Sequence, residues 1–104
     1  MYATLQELFA DHSRWTQGAE AKSECGDLVT PTSKHAVRWC LVGALWKCYP
    51  NPCDRFEAKK KLLDQLRDSQ EIRDRANMCS LENWNDASYR THDDVVALVK
   101  KAGV

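Results

Sequence analysis

An all-α fold, one compact domain of about five helices around a central apolar helix, follows from three features of the 104-residue sequence. Caps and prolines mark the helix starts, and apolar residues recur between them at helical spacing. No segment alternates in polarity, as a half-buried strand does, over more than a few residues. The stretch Trp39 to Trp46 is apolar all round, and a helix of that kind is normally enclosed by others. Residues 1–104 read as a single domain, a length too short for two.

The first helix starts at Thr4, which has capping-box spacing to Glu7. Leu5, Leu8, Phe9, His12 and Trp15 then fall on one stripe, with Gly18 as the stop. Ala19 to Ser33 reads as an extended connection with room for a helical turn around Ala19–Glu24. The central helix is expected from Thr32 or Ser33, just after Pro31, to about Tyr49. Gly43 inside it costs about 1 kcal/mol against alanine, which close approach of a neighbouring helix, assisted by Ala44, would offset. Pro50-Asn51-Pro52 ends that helix and opens the next, with Asn51 as cap and Pro52 in the first helical position. Its buried stripe is predicted to be Phe56, Leu62, Leu63 and Leu66, with Lys59 snorkelling from within it. Ile72 is out of phase with those leucines. A break near Asp68–Ser69 and a short helix carrying Ile72, Ala76 and Cys79 are therefore expected. Ser80 caps a further turn, Leu81 to Asp86, burying Leu81 and Trp84. In the last helix Thr91 is the cap, Asp93 and Asp94 sit at the positive end, and Lys100 and Lys101 at the negative end. Gly103 follows, and Val95, Leu98, Val99 and Ala102 form the core stripe.

Composition excludes more than it selects. Lys plus Arg and Asp plus Glu number 15 each, so there is no general attraction to nucleic acid or anionic lipid. The longest apolar run, Trp39 to Trp46, is far below the ~20 residues that cross a bilayer. The N-terminus lacks the basic start and apolar run of a secretory signal. Five cysteines, an odd number without an export signal, point to free thiols in a reducing cytoplasm.

Four blocks carry a resemblance: Trp15-Thr16-Gln17-Gly18, Ala36-Val37-Arg38-Trp39-Cys40-Leu41-Val42-Gly43-Ala44-Leu45, Trp84-Asn85-Asp86 and Thr91-His92-Asp93-Asp94-Val95. In order and spacing the chain, from about Trp15 to its end, resembles a family of small bacterial and phage proteins of unknown function. The resemblance implies a single domain and no mechanism.

The residues that could carry chemistry each have a plainer reading. Cys48 and Cys53 straddle the proline turn five residues apart, whereas zinc knuckles use Cys-x2–4-Cys pairs. A metal site from Cys48, Cys53 and His92 is therefore disfavoured, and no cofactor is expected. Cys40, Cys48 and Cys79 suit small buried side chains, and Cys40, between Trp39 and Leu41, makes a poor nucleophile. Cys25 is better exposed but has no evident partner. His12 lies in an apolar stripe, as a core or half-buried histidine would, while His35 and His92 sit at expected helix starts. The most suggestive polar cluster is Trp84, Asn85 and Asp86 with His92 or His35: a carboxylate there would orient a histidine as in general-base pairs. The plainer reading, in which Asn85 and Asp86 cap or turn the chain through local amides, outweighs it. Lys59, Lys60 and Lys61, with Arg55 and Arg67, give one basic helix, but Asp54, Glu57, Asp64 and Asp68 interleave with them. Three functions follow, in order. The first is a non-enzymatic accessory protein that binds another protein, encoded by a phage or mobile element. The second is a small enzyme or ligand binder using the Asp86–histidine cluster, and the third a nucleic-acid binder. Oligomeric state and partner identity are not legible in the sequence.

Overall fold

The computed structural model describes residues 4–67 and 80–104. In chain order these form α1 (Leu5–Leu8), a 3-10 turn (His12–Arg14), β1 (Ala21–Lys22), β2 (Arg38–Trp39), α2 (Leu41–Cys48), α3 (Pro52–Arg67), α4 (Leu81–Asp86) and α5 (His92–Ala102). They make one compact, mainly helical domain, but not an all-α one. β1 and β2 pair antiparallel, Ala21 opposite Trp39 and Lys22 opposite Arg38. Single bridges widen this sheet, Trp15 lying parallel to Trp39 and Leu28 antiparallel to Lys22. Strands of two residues are too short to show alternation, so this pairing leaves no periodic trace in the sequence.

The sheet also explains why α2 is half its expected length. Val37 and Trp39 favour an extended backbone, and that backbone is engaged: Val37 N–H donates to the Lys22 carbonyl at 2.9 Å and Cys40 N–H to the Glu20 carbonyl at 3.2 Å. Ser33 makes a local turn instead of a helix cap, its hydroxyl accepting from His35 N–H at 3.1 Å. The helix starts only at Leu41, where Cys40 is the cap and its Sγ accepts from Gly43 N–H at 3.4 Å. No helical turn forms at Ala19–Glu24, since β1 occupies that stretch.

α1 is similarly shorter than its stripe suggests. Asp11 caps a new turn, accepting from Ser13 N–H and hydroxyl at 2.9 and 2.7 Å, and so ends the first helix early. Those two bonds hold the Asp11 carboxyl below the usual carboxylate range. His12, expected in or near the core, is exposed as a result.

Four starts fall where the sequence placed them, the first at Thr4, whose hydroxyl accepts from Glu7 N–H at 3.2 Å. Asn51 Oδ1 accepts from Cys53 N–H at 2.8 Å and Asp54 N–H at 3.4 Å, with Pro52 first in α3. Ser80 caps α4. Thr91 and Asp94 close a reciprocal capping box on α5, and Gly103 ends it in the left-handed region at φ 74°.

Leu5, Leu8 and Phe9 of the α1 region, Leu41, Ala44 and Leu45 of α2, Leu62 and Leu66 of α3, and Val95 and Val99 of α5 share one core with Trp39, Leu81 and Trp84. α2 packs against α1, α3, α4 and β2, while α5 closes over α1 and α3. Yet α2 is not enclosed on every side: Val42 is half-buried and Trp46 is 46% exposed. Gly43 does mark a close approach, but the neighbour is extended backbone rather than a helix. A Cβ there would strike the Glu20 carbonyl, 2.7 Å from its carbon. The expected break at Asp68–Ser69 and the helix around Ile72, Ala76 and Cys79 lie outside the described residues.

Candidate functional site

Asn85 is a fully buried polar side chain on a six-residue helix. Its Oδ1 accepts from Trp15 Nε1–H at 2.8 Å and from Leu41 N–H at 3.2 Å. Its Nδ2 donates to the Thr16 carbonyl at 3.1 Å and to Asp86 Oδ1 at 2.9 Å. Two acceptor sites and two donors are thus all used. Asp86 Oδ1 also accepts from Gly18 N–H at 3.0 Å, and Gln17 Nε2 donates to the Asn85 and Ala87 carbonyls at 2.8 and 2.9 Å. The Trp-Thr-Gln-Gly and Trp-Asn-Asp blocks therefore bind each other. Their side chains fasten strands of chain about 70 residues apart, where the sequence suggested only local caps.

The structure does not join this group to a histidine. Among the described residues, no hydrogen bond or ion pair links Asp86 to His92 or His35. The half-buried His92 makes its bond elsewhere: Nε2–H donates to the Phe9 carbonyl at 2.7 Å, tying the start of α5 to the end of α1. The exposed His12 ring meets it edge-on, centroids 6.1 Å apart. His35 sits in the turn before β2, at no helix start, and lines an open cleft of about 460 Å³ with Cys25. Trp84 is buried beneath Arg90, whose guanidinium carbon lies 3.8 Å from the ring centroid and whose Nε–H donates to the Trp84 carbonyl at 2.7 Å. Sequence reasoning missed Arg90. An isolated arginine between Tyr89 and Thr91 carries no burial signal; the stack on Trp84, the bond to its carbonyl and the nearby Asp94 carboxylate make the position tolerable.

The cysteines divide by burial. Burial raises the Cys40 thiol above its ordinary value and pushes Cys48 up to about 11. Cys48 Sγ–H donates weakly to the Thr4 carbonyl at 3.5 Å. Cys25 and Cys53 are exposed, and Cys79 is outside the described residues. Among the described residues no three of His, Cys, Asp and Glu are grouped to hold a metal ion, so Cys48, Cys53 and His92 do not converge. Burial thus keeps the Cys48 thiol protonated and poorly nucleophilic near neutral pH. Iodoacetamide labelling of the native protein, mapped by mass spectrometry, should modify Cys25 and Cys53 within minutes and Cys40 and Cys48 only on unfolding. Equal labelling of all four would contradict the burial of the latter pair.

A second site, on the outer face of α2 and α3, was not legible in the sequence. Phe56, expected in the core, is 68% exposed. The buried stripe of α3 is Ala58, Leu62 and Leu66, and Phe56 stands about 200° round the helix from Ala58. Phe56 and Trp46 instead flank a cleft of about 290 Å³, floored by Val42, Leu45 and Pro52. Arg55 stacks on Trp46, its guanidinium carbon 3.7 Å from the ring centroid, and its Nη1 donates to the Tyr49 and Pro50 carbonyls at 3.1 and 3.2 Å. Lys59 does not run along the apolar stripe but stands exposed at the cleft's rim.

Fold and site together define a small helical domain with a minor sheet, knit by a buried amide and carrying an aromatic-walled cleft on α2 and α3. Among the described residues no helix is long and apolar enough to cross a membrane. The chain belongs to the Family of unknown function (DUF6197), whose model matches residues 3–103. No curated protein and no solved structure matches it.

Proposed function

We propose that this chain is a non-enzymatic accessory protein of the cytoplasm that binds another protein through the α2–α3 cleft. The observation that carries this reading is the exposure of Trp46 and Phe56 together, on two helices, across one apolar hollow. Scattered exposed apolar residues are ordinary, but paired aromatics beside an arginine are the residue types that anchor protein interfaces. The hollow has room for one or two large side chains, below the usual range of small-molecule sites. Catalysis at the Trp84-Asn85-Asp86 group has less support, because the hydrogen bonds of Asn85 and Asp86 hold the fold together. Nucleic-acid binding by α3 is opposed by Asp54, Glu57 and Asp64 among its cations. The unpaired thiols of Cys25, Cys40, Cys48 and Cys53 support a reducing compartment.

The test is selection of random displayed peptides on the intact protein, followed by amide shift mapping. Selected peptides should perturb Val42, Leu45, Trp46 and Phe56 and lose binding to a Trp46→Ser, Phe56→Ser double variant. That variant should still fold, with a stability loss of about 1–3 kcal/mol, since Phe56 is largely solvated and Trp46 is nearly half exposed. Peptides that map elsewhere, or that bind the variant equally well, would reject this reading.

A further inference from the structure

Resting on that reading, we infer that the partner segment which fills the α2–α3 cleft is acidic: an apolar anchor side chain with a carboxylate about one helical turn away. The cleft's rim carries two cations, Arg55 and Lys59, against one carboxylate, Glu82. Glu82 stands outside ion-pair range of both, and among the described residues neither cation has a carboxylate partner. Arg67 and Arg90, by contrast, each meet a carboxylate, Asp64 at 3.5 Å and Asp94 at 3.8 Å; what sets Arg55 and Lys59 apart is that both line one apolar cleft.

Arg55 is also held in advance. One face of its guanidinium covers the Trp46 ring, and Nη1 is fixed by the carbonyls of Tyr49 and Pro50 at the end of α2. A guanidinium has five N–H donors in a planar fork, so its other nitrogens remain for an incoming acceptor. The side-chain freedom that an arginine normally loses on pairing is here already lost, which strengthens capture of a carboxylate. An anchor seated between Trp46 and Phe56 would bring a carboxylate one turn along its own helix, about 5.4 Å away, towards this edge. The apolar contact supplies affinity, and the cations select sign and register.

The experiment takes the peptides selected on the intact protein and resynthesises each with every Asp and Glu changed to Lys. Enriched sequences should place Asp or Glu within four residues of a Trp, Phe or Leu. The charge-reversed peptides should bind at least about tenfold more weakly, and raising the salt should weaken the parents more than the reversed forms. Arg55→Gln and Lys59→Glu, each checked for an unchanged melting curve, should lower affinity for the parent peptides several-fold. Lys59→Glu keeps the assay decisive if Arg55→Gln loosens the α2–α3 turn, because Lys59 makes no bond to the fold. Peptides that occupy the cleft with no acidic preference, and bind equally well after reversal, would overturn the acidic partner while leaving the cleft as a docking site. Peptides that map away from the cleft, or no enrichment at all, would overturn both readings. Sedimentation that shows a dimer abolished by Trp46→Ser would assign the cleft to a second copy of the chain, and the acidic partner would fall.

Discussion

Asn85→Ala should lower the unfolding free energy by about 3–5 kcal/mol, a large part of what a domain of this size has. The substitution leaves the Leu41 N–H without its side-chain acceptor at a buried helix start, and strips Trp15 Nε1 and the Thr16 carbonyl of their partners. Each such group costs about 1–3 kcal/mol when buried and unpaired. The loss also reaches Asp86, which would hold Gly18 without the second donor that fixes its carboxylate. Chemical denaturation followed by tryptophan fluorescence measures it. A fall below about 1 kcal/mol would mean that water replaces the amide, and the node would not be structural.

Gly43→Ala should be almost as damaging, by about 3 kcal/mol, with Gly43→Leu worse. The added Cβ meets the backbone of Glu20, and a backbone cannot turn aside as a flexible side chain does. To make room, the Cys40 N–H to Glu20 carbonyl bond must lengthen from 3.2 Å, and with it the pairing of β1 and β2. A melting temperature lower by roughly 10–20 °C is expected. A variant that melts within a couple of degrees of the parent would show that the extended segment is free to slide.

These two positions show which parts of the molecule the sequence discloses. α3, α4 and α5 were readable because their starts are decided locally: Asn51, Ser80 and Thr91 each bond amides within three residues. The region from Ala19 to Cys40 was not, because its backbone is fixed by partners far along the chain. Val37 and Cys40 are bound by Lys22 and Glu20, and periodicity contains no record of that. α1 begins at Thr4 as expected but ends early for a smaller reason, since Asp11 offers its own turn a better cap than the helix offers Ala10. The polar cluster was half visible. Trp84-Asn85-Asp86 stands out by composition, but its partners are Trp15 to Gly18 rather than a histidine, and a separation near 70 residues has no local signature. Phe56 was misplaced because α3 buries a stripe led by the small Ala58, which a search for large apolar residues passes over.

The Asn85 node also sets an order on synthesis. Leu41 and Trp15 depend on an amide encoded 44 and 70 residues later. At roughly 5–20 residues per second, about two to nine seconds pass between the emergence of the α2 cap and that of Asn85. During that interval the nascent chain holds the apolar Trp39–Leu45 segment with its closing residue still unmade. A chain truncated before Asn85 should therefore remain protease-sensitive and attractive to chaperones that hold exposed apolar segments, and only one that extends through α5, which supplies Val95 and Val99 to the core, should reach the resistant form.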